Sequence, residues 1–128
     1  MAAAAPGHPA HETCRRFVAR HAPAIAGHAS LEAFSVLTRL PVVGRLPGAA
    51  AARLLQAHFP RAIWPSVASM ERFVEDCGGR GITGGAVYDA LVALAASDHG
   101  ARLVSLDRRA ATTYRAMGVE TVAPAEIA

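Results

Sequence analysis

The chain has 128 residues, with thirteen arginines, no lysine, ten acids, a formal net charge of +3 and thirty alanines. That is one domain's worth of polypeptide. Hydrophobic residues make up 52% and charged residues 18%, a balance that excludes disorder as a description of the whole. No apolar run reaches the roughly 18 residues needed to span a bilayer. The opening stretch Met1–Gly7 lacks the basic and long apolar regions of a secretory signal. Cys14 and Cys77 form neither a disulfide scaffold nor a zinc pattern. The expectation is a soluble, cytoplasmic protein with a single domain over 1–128. An all-arginine basic set suits phosphate-rich partners, because guanidinium grips phosphate in a bidentate fork. Solvated faces in an arginine-biased composition account for the same charge.

In chain order, residues 8–21 read as a helix with Pro9 at an allowed early position, stopped by Pro23. Ala24-Ile25-Ala26 reads as a short strand. Ser30 then caps a predicted helix through Leu40, whose Leu31, Phe34, Leu37 and Leu40 share one face. Pro41 ends it, a loop comes next, and a helix runs from about Gly48 to His58. A strand is predicted around Ala62-Ile63-Trp64, then a helix capped by Ser66 and ended by Gly78-Gly79. The next helix runs from Ala86 to about His99. A strand over Arg102–Leu106, a helix from Arg108 to Met117 closed by Gly118, and a last strand over Val119–Val122 complete the chain. Helices alternating with short apolar strands point to an α/β fold with a short parallel sheet.

Three carboxylates stand out. Asp89 is the one charge in the eleven residues Ala86–Ala96, on a helix apolar all round. If Val87, Ala90, Leu91 and Leu94 face the core, Asp89 shares the opposite, equally apolar side with Val92, Ala93 and Ala96. A carboxylate there needs a cation or hydrogen-bond donors, and backbone N–H groups of the first turn would also serve. Asp107 comes directly after a strand, where parallel α/β sheets place their sites, although an N-cap reads equally well. Glu32 is predicted in the first turn of the Ser30-capped helix, where the helix dipole favours it. Taken together, carboxylates from two helices and a strand end offer the hard oxygen donors that Mg²⁺ or Mn²⁺ takes. His8 and His11, three apart, lack the second pair that a metal site would need. Cys14 and Cys77 read as buried small hydrophobes.

The segments Ala29–Pro41, Gly84–Leu91 and Leu103–Arg109, in this order, resemble the acid-bearing segments of PIN-domain ribonucleases, above all the VapC-type toxins of bacterial toxin–antitoxin pairs. The resemblance runs from about His8 to Val122. It implies a three-layer α/β/α PIN-like fold and a metal-dependent endoribonuclease acting on structured RNA such as tRNA or rRNA. Glu32, Asp89 and Asp107 carry over as catalytic metal ligands for Mg²⁺ or Mn²⁺, with in-line attack by metal-activated water. Arg108 and Arg109, and after them Arg15 and Arg16, suit RNA-backbone contacts, with solvated surface arginines the alternative reading of each. A cognate antitoxin and a homodimer are implied partners, and no membrane is. The family begins with a hydrophobic strand ending in Asp, whereas residues 5–12 resemble the stretch just after that strand, so the expected fold lacks its N-terminal strand. The alternative expectation is a shortened, non-catalytic PIN-like module that binds antitoxin or RNA.

Overall fold

Asp107 comes just after a two-residue strand, and the unit around it explains why it sits there. In the computed structural model, which describes residues 7–127, β3 (Leu103–Val104) pairs in parallel with β4 (Thr121–Val122), with Leu103 opposite Thr121 and Val104 opposite Val122. Leu103 N–H donates to the Glu120 carbonyl at 2.9 Å and Ser105 N–H to that of Val122 at 3.1 Å. Parallel strands need a crossover, and α6 (Ala111–Ala116) supplies it. Gly118, at φ 72°, turns the chain out of α6. The Val119 N–H then bonds to the Tyr114 carbonyl at 3.0 Å, a Schellman closure that glycine permits without steric cost. Residues 1–6, which carry most of the stretch lacking a signal pattern, lie outside the described residues.

The chain forms two compact units, one ending at Ala62 and one from Ile63 to Ile127. The first contains α1 (His11–His21), β1 (Ile25–Ala26), α2 (Gly27–Arg39) and α3 (Gly48–His58). Ile25 N–H bonds to the Arg61 carbonyl at 2.9 Å, which starts the pairing of β1 with β2 (Ala62–Ile63). Ala33 and Leu37 of α2 and Ala51 of α3 are buried, as are Cys14 and Val18 of α1. Helix α1 ends at Ala22, held in the left-handed region at φ 41° with its N–H on the Val18 carbonyl.

The second unit holds α4 (Val67–Gly79), α5 (Ala86–Asp98), the β3–α6–β4 crossover and a 3₁₀ turn at Pro124–Glu126. Helix α5 is buried on more than one side, as its composition predicts. Ala93 and Ala96 pack with Ala110, Tyr114 and Val119. Ala90 joins Phe73, Cys77 and Ile82 in a second cluster, with Val87, Leu91 and Leu94 against it. Four alanines of α5 are buried, so its neighbours approach closely across small side chains. The start of α4 is fastened to the end of α5. Ser66 Oγ accepts from Ser69 N–H, while Asp98 accepts from Ser66 N–H at 2.7 Å and from the Ser69 hydroxyl at 3.0 Å.

The α/β class and the order of the elements match the sequence reading. Three local expectations differ. Helix α2 starts at Gly27, and Ser30 does not cap it. Its hydroxyl instead bonds back to the Gly27 carbonyl at 2.7 Å, inside the first turn, a local bond open to serine within a helix. Helix α6 starts at Ala111 rather than Arg108, because the Asp107 carboxylate captures the N–H groups of Arg109 and Ala110 and holds 108–110 as a turn. The strands are two residues long and pair as β1–β2 and β3–β4, shorter than the apolar runs suggested.

Candidate active site

Glu32 lies in the second turn of α2, not the first, because that helix begins three residues before Ser30. The macrodipole contribution expected for a first-turn acid falls away with distance from the terminus. Its Oε1 instead meets His28 Nε2 at 3.0 Å across one helical turn. The carboxylate side chain is 63% exposed and the imidazole 19%. His28 is a neighbour that the i, i+4 spacing makes legible in the sequence.

Asp89 lies in the first turn of α5 and is half-buried between exposed Tyr88 and fully buried Ala90. Both a dipole-favoured terminus and an apolar helix surround it, as its sequence context predicts. Asp107 lies just beyond β3, and its Oδ1 accepts from Arg109 N–H at 2.9 Å and Ala110 N–H at 3.3 Å. The Arg109 guanidinium approaches the same oxygen at 3.9 Å, with its side chain 95% exposed. All the described contacts of this carboxylate therefore use Oδ1, and Asp107 holds the turn over 108–110 whatever else it does. Its amide in turn donates to Ser105 Oγ at 3.1 Å. Arg108 is exposed beside it.

Glu32 belongs to the first unit, Asp89 and Asp107 to the second. All three carry the hard oxygen donors that suit Mg²⁺ or Mn²⁺. Among the described residues, no three His, Cys, Asp or Glu side chains form a group that could hold a metal ion. Arg15 and Arg16 are already engaged. Both donate to Glu12, at 2.9–3.0 Å, and their hydrogen bonds pull the Glu12 carboxyl down to about 2. Burial pushes both thiols up, Cys14 and Cys77 alike, consistent with packing rather than nucleophilic roles.

Comparison with known proteins decides the family. The chain is 45% identical over 118 residues, 92% of its length and 86% of the relative's, to Ribonuclease VapC27 of Mycobacterium tuberculosis. The chain belongs to the VapC family. It is also 38% identical over 114 residues to Ribonuclease VapC40 of the same species, covering 88% of this chain and 84% of that one. No family model matches it and no solved structure matches it. Membership in the VapC family accounts for the mixed α/β architecture. Among the described residues no helix is long and apolar enough to cross a membrane.

Besides His28, sequence reasoning passed over two groups. One is the Ser66–Ser69–Asp98 clasp, whose partners lie 29 and 32 positions apart and carry no local signal. The other is a cavity in the second unit, about 240 Å³ in volume, lined by Arg80, Thr83, Thr112 and Thr113 among others. Its polar residues come from two separate segments, and only the fold joins them.

Proposed function

We propose that this chain is a metal-dependent endoribonuclease toxin that cleaves structured RNA, tRNA or rRNA, and is inhibited by a cognate antitoxin. The observation that carries this reading is the 45% identity to a protein named a ribonuclease, extending over 92% of the chain. Glu32, Asp89 and Asp107 are the carboxylates that would hold Mg²⁺ or Mn²⁺. When bound, such an ion supplies an activated water and neutralises charge on the scissile phosphate. Asp107 keeps its own loop in place through Oδ1, which leaves Oδ2 as its donor. Arg108 and Arg109 flank that loop and bind the RNA backbone, which positions the strand without reading its sequence. The active form is a homodimer in the cytoplasm.

A second reading is a non-catalytic module that binds antitoxin or RNA. Cleavage of total tRNA by the purified chain, with Mn²⁺ or with EDTA, beside Asp89→Asn, decides between the two. Cleavage that needs metal and vanishes in the variant is the expected result. Unchanged cleavage by Asp89→Asn would overturn the site assignment, and no cleavage by the unaltered chain would favour the second reading.

A further inference from the structure

We infer that the cavity between the end of α4 and the start of α6 is a phosphate subsite that holds one backbone phosphate of an RNA strand. This rests on the ribonuclease reading for the identity of the strand but uses none of the three acids. The cavity is partly open to solvent and has a volume of about 240 Å³, several times the roughly 30 Å³ share of one water, so it accommodates a phosphate group. Its polar side chains are one guanidinium, that of Arg80, and three hydroxyls, those of Thr83, Thr112 and Thr113; no carboxylate lines it. That donor set matches an oxyanion and includes no carboxylate to attract a cation.

Arg80 is held in place. Its Nη1 donates to the Ala116 carbonyl at 2.8 Å, which orients the planar group and leaves further N–H donors on it. Among the described residues no ion pair neutralises it, and Asp76, one turn earlier, contacts it only through its backbone carbonyl. The floor is stable, since neighbouring Ile82 is buried with Phe73 and Cys77. Gly81, at φ 68°, turns the chain between Arg80 and Ile82. A charged fork beside three hydroxyls on a packed floor is an arrangement that binds phosphate by charge and by geometry together.

The test is equilibrium binding of a short fluorescein-labelled single-stranded RNA to the full chain in EDTA, over a series of salt concentrations. Arg80→Gln is expected to weaken binding several-fold and to flatten the dependence of log K on log salt by about 0.7, the value of one phosphate contact on a single strand. Thr112→Val, which leaves the Arg80–Ala116 bond untouched, is expected to lose about two- to tenfold in affinity with the slope unchanged. Millimolar inorganic phosphate should displace RNA less effectively from Arg80→Gln than from the unaltered chain. An unchanged slope in folded Arg80→Gln overturns the proposal, as does full affinity in Thr112→Val if Arg80→Gln fails to fold. Binding of inorganic phosphate by a chain that shows no binding of the RNA at any salt concentration overturns the assignment to a strand. Metal-dependent cleavage is measured in parallel. A flattened slope with no cleavage by the unaltered chain upholds the subsite while overturning the ribonuclease reading, and cleavage with an unchanged slope does the reverse.

Discussion

Asp107 allows its structural and chemical roles to be separated by two substitutions at one position. Asp107→Ala removes an acceptor that satisfies two backbone N–H groups, at 2.9 and 3.3 Å. Loss of these side-chain-to-backbone bonds costs about 1 kcal/mol, within a range of about 0.5–1.5. The Arg109 guanidinium adds little at 3.9 Å with its side chain 95% exposed, since exposed pairs contribute about 0–1 kcal/mol. For a chain of this length, 1 kcal/mol corresponds to a fall in Tm of about 3–5 °C. Asp107→Asn keeps the Oδ1 acceptor and caps about as well as aspartate, so its melting should stay close to that of the unaltered chain. Its loss of a ligand carboxylate should still reduce cleavage by more than the about 10–100-fold that disturbance of a metal site's outer partners causes. Thermal melts monitored by circular dichroism, beside the tRNA cleavage assay, read both effects. Full cleavage by Asp107→Asn would refute the ligand role, and equal melting of Asp107→Ala and Asp107→Asn would refute the capping role.

Glu32→Gln should change stability by less than about 0.5 kcal/mol, because the side chain is exposed and meets only His28. Cleavage should be lost all the same; a fall in Tm as large as that of Asp107→Ala would place Glu32 in the folding of α2 instead. At Asp98, the Ser66 backbone N–H first, and then the two serine hydroxyls, hold the carboxyl below its ordinary range. A depressed carboxyl stabilises the fold above its unfolded pKa of about 3.9 and loses that contribution as pH falls through the folded value. Asp98→Asn should therefore be less stable than the unaltered chain at neutral pH, by under about 1 kcal/mol for so solvated a group, and the difference should close below about pH 4. Urea denaturation at pH 7 and pH 3 checks this, and a gap that widens in acid would contradict the clasp.

Legibility along the chain tracked the range of the interaction. Helices α3, α4 and α5 were readable to within a residue or two because Pro47, Ser66, Gly79 and Gly85 mark their ends locally. The start of α2 was not, since Ser30 satisfies the usual capping pattern and yet bonds backwards to Gly27. The turn at 108–110 was missed for the opposite reason: Asp107 reads as a cap, but the residues it captures do not join the helix. The three acids stood out by their surroundings in sequence, whereas their contacts, the His28–Glu32 pair included, came only from the structure.

The sequence by itself determined the α/β class, the order of the elements and the likeness to the VapC family, because these depend on residue type, periodicity and short spacing. Only the tertiary structure decided that both sides of α5 are packed, that Asp98 fastens α4, and that Arg80 and three threonines share one cavity. Those relations join residues that are about 30 positions apart, and chain folding brings such groups together through the burial of small apolar faces, of which a linear pattern carries no record.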